Sequence, residues 1–599
     1  MFLDERPVTV GDGAGAPPRR PDRRPPEARG RIDLGSFGGG IAQVPARLPA
    51  LRLRRRWFGA LWLVVAAVIG LLVLVLVARQ LRDYAWMQDF IRRYPGTSTS
   101  YAPAVTTGFP AWLRWQHFFN GVLLMFIVRS GLQILADHPR LYLNAGCRPG
   151  TEWLRLRGPV PADRMDKTDP ARVWTSKDDA VALPGWLGVP GFRHSIGLAR
   201  WWHFTFDLLW LLNGAVFYVL LFATGQWQRI VPQSWTVLPN AASTLVQYAS
   251  LQFPVNAGFT NYNGLQLLGY FSTVFIAAPL ALITGLLQAP AVAARFGTAR
   301  GPLNRQVARS VHFGVLVWMV AFVAGHVTMV LCTGVVGNLN HIVLGTDTQE
   351  YRAVMLAVAG ICTVALLWLL ATPLTVRYPR LVQRTGRAVV GPIKEWMERI
   401  HPRATYRERD ITPYHWSNGR LPDSPHYRRL RAGGWADYRL TVGGLVAHPV
   451  QLSYRELLAL PKHEQVTGHY CIQGWSGIAK WGGVAMADVL DIVRPLPTAR
   501  WVVFTSFADG AEPDTGRYYA CHRIAHMREP TTLLAYEMNG APLSEVHGAP
   551  LRLRNELELG FKMVKWIESI EFVASIDDVG WGHGGYNEDH EYFGYRMPI

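Results

Sequence analysis

The sequence predicts a membrane all-α helical bundle of about six transmembrane helices followed by a soluble α+β domain. Three observations carry that prediction. Six apolar runs precede residue 376, each near the ~20 residues that cross a hydrocarbon core as a helix. From Tyr378 onward the composition turns polar, with short strand-like runs separated by turns. Mean hydropathy is only +0.08 although 49% of residues are hydrophobic, which is the average expected of a membrane part joined to a water-exposed part.

The 599 residues carry a net charge of +18. The positive residues cluster beside apolar spans and no nucleic-acid motif is present, so the charge reads as loop flanks of a membrane protein, not a nucleic-acid surface. Five scattered cysteines without a CxxC pair argue against a disulfide framework or a ferredoxin cluster. Residues 1–55, rich in Pro, Gly and Arg, are expected to form a disordered basic tail. A membrane domain is expected over 56–376, a basic linker over 377–405 and a soluble domain over 406–599.

The spans fall at about 57–77, 111–135, 201–224, 266–290, 309–335 and 353–375. The tail and the 136–200 and 291–309 loops are basic, whereas the 225–265 and 336–352 loops offer only Arg229 and Arg352. The positive-inside rule then puts the N-terminus and the C-terminal domain on the cytoplasmic side of a bacterial-type inner membrane.

Ionisable side chains inside membrane helices are costly and mark function. The fifth span carries His312 and His326, fourteen residues apart. At about 100° per residue they share one face, and at ~1.5 Å rise they lie roughly 21 Å apart. His117 sits one turn inside the second span and His203 one turn inside the third. The topology puts His203 and His312 at the inner height and His117 and His326 at the outer. Two stacked b haems, each held by one pair, are the expectation. Arg114, Arg200 and Arg309 each precede a histidine by three residues, on the same helix face, and are expected to meet haem propionates.

The phrases RWQHFFNG, RSGLQILADHPRLY, TGQWQRIVP and ARSVHF…GHVTMV make roughly 105–375 resemble the di-haem cytochrome b subunits of formate dehydrogenase and hydrogenase type, b561-like in character. The resemblance implies bis-histidine haem b and electron exchange with quinone.

In the soluble part, Cys471 lies in VTGHYCIQGWSGIAKWGG, just after a strand-like run. A soft thiolate suits a higher-valent oxo-metal as a single protein anchor. His547, Arg552, Lys562 and Lys565 interleave with Gly548, Gly560 and apolar residues. Convergent cations and free backbone N–H groups suit an anionic, phosphate-bearing cofactor. YEMNGAPLSEVHGAPLRL followed by GFKMVKWI makes about 410–580 resemble the sulfite oxidase superfamily. That resemblance implies a molybdenum cofactor with Cys471 as the metal ligand. It also implies pterin and phosphate contacts at His547, Arg552, Gly560, Lys562 and Lys565, with Tyr414, His415 and Asn418 in an opening contact strand. Asp509 and Tyr519 fall in the segment that faces the metal in that family. Sulfite oxidases proper follow the cysteine with arginines, whereas Ile472, Gln473, Gly474 and Trp475 stand here, which points to a less charged or differently held substrate.

The two resemblances together imply a membrane-bound molybdopterin-dependent oxidoreductase. It would transfer an oxygen atom on a small sulfur- or nitrogen-oxide type substrate, in either direction, and exchange electrons with quinone in the lipid bilayer through two haems. The alternative is a non-catalytic electron conduit or redox sensor whose soluble domain docks a partner.

Overall fold

The computed structural model describes residues 47–96, 108–165, 172–191, 196–253, 259, 261–296, 301, 304–400, 406–419, 421–509, 516–580, 582, 584 and 585. Most of the expected basic tail, residues 1–46, lies outside them. Among the described residues, six helices are long and apolar enough to cross a membrane: α1 (Ala60–Asp83), α2 (Ala111–Asp137), α3 (Ile196–Ala223), α4 (Gly264–Gln288), α5 (Arg305–Cys332) and α6 (Tyr351–Arg377). They extend the expected spans by up to several residues at one or both ends. Polar termini such as Arg305 continue the helical hydrogen-bond ladder beyond the apolar run; Asn304 caps α5 by accepting from the Gln306 and Val307 amides. Helix α4 passes through a π segment over Ser272–Ala277. Apolar side chains such as Leu71, Ile361 and Leu369 are exposed around the bundle, as lipid-facing residues must be. The closest helix pairings are α2 with α3 and α4 with α5.

Two features lie where a tail and a linker were expected. Strands β1 (Ala50–Leu53) and β2 (Arg56–Gly59) form a hairpin before α1. The 138–191 loop supplies β3 (Arg140–Leu141) and β4 (Leu154–Arg155), and the four pair in the order β2-β1-β4-β3. Arg140 holds this loop from inside, donating to both Asp179 carboxylate oxygens at 2.7 and 2.8 Å and to Glu152 at 2.7 Å. These strands place the chain before α1 and the loop after α2 on one side of the bundle. The stretch 377–405 is largely helix, α7 (Pro379–Glu398). It packs along α3 because Gly386 lets the backbone approach Trp201. A Cβ there would lie 1.5 Å from the indole nitrogen.

Among the described residues, the soluble half has two five-stranded sheets. One joins β5 (Arg439–Gly444), β6 (Val450–Ser453), β9 (Trp501–Asp509), β10 (Arg517–Arg523) and β14 (Ile567–Val573), in the order β10-β9-β14-β5-β6. The other contains β7 (Lys462–Tyr470), β8 (Ser476–Ala485), β11 (Leu533–Met538) and β12 (Ala541–Pro542), in the order β12-β11-β8-β7, with β13 (Arg552–Arg554) paired to β11. The expected strand runs around Leu440, Val503 and Ile570 and the helix Met486–Val493 are present. The main core, including Leu440, Val442, Phe504, Leu553 and Phe572, sits between them. Burial of side chains this size contributes roughly 2–3 kcal/mol each.

Candidate active site at the junction of the two halves

Cys471 caps the end of β7, and the tight turn to β8 is made by residues 472–475. Gly474 takes φ +113°, a left-handed conformation for which glycine is suited. The thiol is 1% exposed, and Asn418 directs its side-chain N–H at the sulfur at 3.3 Å. Burial pushes the Cys471 thiol up to about 12, so the free side chain is neutral and needs a cation beside it to ionise.

Around this sulfur the structure gathers most of the soluble residues singled out by sequence. The ring of His415 lies 5.4 Å from that of His547, 5.0 Å from that of His469 and 5.3 Å from that of Trp475. Arg552 is 3% exposed and donates to the His547 carbonyl at 2.9 Å, while its Nε has no partner. Its guanidinium lies over Trp481, as does that of Arg554. Lys565 donates to the carbonyls of Asn418 and, at 2.8 Å, Val546, which ties the 414–418 segment to the 546–565 segment. Lys562 is buried and donates to the Gly584 carbonyl at 2.8 Å. Gly560 must be glycine, because a Cβ would meet His469 Nε2 at 2.3 Å. Tyr414 packs at the edge of the buried cluster that contains Cys471.

The chemistry of this donor set fits a phosphate-bearing pterin. Arg552, Arg554 and Lys562 are buried cations, and Glu556, 2.6 Å from Arg554, is the carboxylate that faces them. The buried Nε atoms of Arg552 and Arg554 point at no acceptor. A buried excess of positive charge with idle donors calls for an anionic group. Sequence reasoning missed His469 and Arg554. Both lie within quoted motifs, and their signal was the two-residue offset from Cys471 and Arg552 that a strand turns to the same face.

Asp509 and Tyr519 do not join this set. Asp509 ends β9 with its side chain 87% exposed, 3.8 Å from Arg517. Tyr519 is buried with Val503, Cys521, Ile576 and Val579, a cluster separate from that of Cys471. Both belong to the β9–β10 pair of the first sheet, whereas Cys471 follows β7 of the second.

The membrane half closes over the Cys471 loop. Arg200 at the head of α3 donates to the Ile472 carbonyl at 2.8 Å. Arg305 and Gln306 at the head of α5 donate to the carbonyls of Trp475 at 2.9 Å and Gly474 at 3.2 Å. Gln473 donates to the carbonyls of Asp137 and Ser176, each at 3.3 Å, and Trp416 donates to the Cys147 carbonyl at 2.8 Å. One buried cluster runs from Tyr142, Cys147 and Trp201 through to Trp416, Cys471 and Trp475.

Within the bundle the four histidines meet in two pairs. The rings of His117 and His326 are 6.1 Å apart, those of His203 and His312 6.4 Å apart. Three Nδ1 atoms have partners: His203 meets Ser130 Oγ at 3.0 Å, His312 meets Thr284 Oγ1 at 3.0 Å and His326 meets Tyr270 OH at 3.4 Å. Such bonds orient an imidazole and leave Nε2 as the metal-facing atom, so each pair fits a haem iron. The second reach of His203 is to Asp207, whose carboxylate lies 3.5 Å from Nε2. The three arginines expected at haem propionates have other partners. Arg114 donates to the Val343 carbonyl at 2.7 Å, Arg200 to Ile472, and Arg309 to the carbonyls of Arg140 at 2.8 Å and His138 at 2.7 Å. Each sits in the first two turns of its helix, within reach of backbone carbonyls of neighbouring segments.

Comparison with known proteins agrees with this two-part layout. Residues 427–581 match the oxidoreductase molybdopterin binding domain family, and residues 108–345 match the prokaryotic cytochrome b561 family. The protein-methionine-sulfoxide reductase catalytic subunit MsrP of Xanthomonas axonopodis pv. citri is 32% identical over 187 residues, covering 29% of this chain and 57% of that protein. The putative protein-methionine-sulfoxide reductase subunit YedZ1 of Azospira oryzae is 35% identical over 152 residues, 25% of this chain and 55% of the relative. Sulfite oxidase of Arabidopsis thaliana is 31% identical over 205 residues, 29% of this chain and 50% of that enzyme. The chain thus spans about half the length of each of these relatives. With the site geometry, these matches identify the chain as a fusion of a cytochrome b561 family membrane domain with an oxidoreductase domain of the molybdopterin-binding family.

Proposed function

We propose that this protein is a membrane-bound molybdenum oxidoreductase that transfers an oxygen atom on a small sulfur- or nitrogen-oxide type substrate and exchanges electrons with quinone through two b haems. The observation that carries the reading is the junction. The turn after Cys471 hangs from Arg200 of α3 and Arg305 of α5, and the same helices carry His203 and His312 within two turns. A metal anchor and a histidine pair are thereby coupled through two rigid helices.

When bound, the molybdenum cofactor supplies two-electron oxygen-atom chemistry and haem b supplies single-electron transfer. The chain's own residues bind and orient. Cys471 would hold the metal, with the Asn418 amide directed at its sulfur. Arg552, Lys562 and Lys565 would neutralise the cofactor's phosphate, with His415, His547 and Gly560 shaping the pterin cradle and Tyr414 at its edge. His203 and His312 would hold the inner haem, and His117 and His326 the outer. Residues 471–475 are all buried, which excludes bulk water from the reacting side and favours a small substrate over a protein surface. Two of the relatives bear methionine-sulfoxide reductase names, which supports a sulfur oxide as one candidate. The basic tail and loops support a cytoplasmic position for both termini, with domain limits near 56–376 and 406–599.

The test is spectroscopic. Membranes containing the full chain are reduced to develop a b-type haem spectrum, then titrated with sulfur and nitrogen oxides. Their reduced forms are added to the oxidised protein in parallel. Stoichiometric molybdenum and a haem response to at least one such compound are expected. Metal-free protein, or haem indifferent to all of them, would overturn the reading. A periplasmic reporter active at the C-terminus would overturn the orientation.

A further inference from the structure

His138, the residue that ends α2, stands beside the buried Cys471 loop. Its side chain is 0% exposed and neither ring nitrogen has a hydrogen-bond partner. Tyr142, also fully buried, stacks on it with rings 6.0 Å apart, and its hydroxyl is likewise without a partner. The imidazole meets Trp416 edge-on at 5.3 Å, and Trp416 shares its buried cluster with Cys471. The preceding residue, Asp137, accepts at its carbonyl from Gln473, two residues past Cys471.

An imidazole and a phenol buried with idle polar atoms are costly, and an apolar pair would fill the same space without that cost. The cations nearby are already committed. Arg309 donates to the His138 and Arg140 carbonyls, Arg305 to those of Trp475 and Gln288, and Arg140 to Asp179 and Glu152. The imidazole of His138 and the phenol of Tyr142, both uncharged, are the pair buried here without a hydrogen-bond partner. Burial, with Arg309, Arg140 and Arg305 close by, pushes His138 well below the ordinary histidine range, which keeps one donor and one acceptor on the ring.

We propose that His138, backed by Tyr142, is a substrate-binding residue that the membrane half contributes to the molybdenum domain, donating a hydrogen bond to the oxygen of a small oxide of zero net charge. This rests on the function proposed above. The pocket is composite: the soluble half supplies the metal anchor and cofactor cradle, and the end of α2 supplies the group that holds the substrate's oxygen. The buried imidazole and phenol left without partners are both uncharged, which suits the oxygen of an uncharged oxide.

The experiment uses the full-length, cofactor-loaded protein in membranes, with dimethyl sulfoxide and trimethylamine N-oxide as uncharged probes and sulfite as the charged one. His138→Ala, His138→Gln and Tyr142→Phe are compared with the parent. The Ala variant is expected to raise the half-saturating concentration of the reactive neutral oxide at least tenfold, and the Gln variant, which keeps a donor, by less. Molybdenum content and the b-haem spectrum stay at parent levels. Dimethyl sulfoxide perturbs the molybdenum paramagnetic resonance signal of the parent and leaves that of His138→Ala unchanged. An Ala variant with parental half-saturation and a parental resonance shift overturns the inference, as does loss of molybdenum in proportion to lost activity, which assigns His138 to structure alone. A parent protein that responds to sulfite and to neither neutral oxide overturns the charge argument while leaving the enzyme reading intact. A parent indifferent to all three probes removes the enzyme reading and this inference together.

Discussion

Arg200 donates its Nε hydrogen to the carbonyl of Ile472 at 2.8 Å, across a sequence separation of 272 residues. One end of this bond lies three residues before His203 on α3; the other lies one residue after Cys471. The turn that follows the thiol is thus an attachment point of the bundle as much as a part of the soluble fold.

Removing that attachment should weaken the junction first. A hydrogen bond from a charged group contributes roughly 1.5–3 kcal/mol, so Arg200→Met and Arg305→Met should each loosen the contact by about that much. The double variant should keep molybdenum and the b spectrum yet slow substrate-driven haem reduction at least tenfold, measured by stopped flow. Unchanged rates in the double variant would dismiss the junction as the electron route.

Cys471→Ser exchanges a soft anchor for a hard, weakly acidic one. The variant should fold, retain its haem spectrum and lose substrate-driven haem chemistry by more than a hundredfold, with metal analysis showing molybdenum depleted or present without turnover. Full activity would exclude the thiol as the anchor.

The two histidine pairs make a sharper statement than four separate ligands. His117→Ala and His326→Ala should each remove about half of the b-haem absorbance, and combining them should remove no more. The same holds for His203→Ala and His312→Ala. Pyridine haemochrome quantification checks this, and additive losses within a pair would break the pairing.

Acid should expose the burial of His138. Its folded value lies well below the ordinary 6.5, so below about pH 6.5 the unfolded chain binds a proton that the folded chain does not. Stability from this group is complete above that pH and falls as pH drops through it, by up to about 1.4 kcal/mol per pH unit. Melting profiles of the parent and His138→Gln between pH 5 and 8 should differ in slope by up to one proton on the acid side. Parallel profiles would contradict the neutral ring.

How far these arrangements were legible depended on whether the relevant partner was local. The juxtaposition of His117 with His326 and of His203 with His312 followed from helical rise and loop charge, because a membrane fixes depth along each helix. Cys471, Arg552 and Lys565 stood in compact motifs whose turns were readable as such. Asp509 and Tyr519 were misplaced because strand order is non-local: β9 and β10 follow the cysteine in sequence but pair in the other sheet. Arg200 and Arg309 were recognised as functional positions, but the carbonyls they serve were not legible, since these belong to segments distant in the chain. His138 lies just past the end of its helix, where no span pattern marks it. Its burial comes from a domain more than 270 residues away, which periodicity cannot reveal.

A single residue, Tyr378, separates the end of α6 from the start of α7, and Arg295 holds the far end of α7 by donating to the Met397 and Ile400 carbonyls at 3.0 and 2.7 Å. Covalent linkage of the two halves removes the encounter step that separate subunits require. Transfer between the halves should therefore be first order, insensitive to protein concentration and to the salt that screens charged partners in solution.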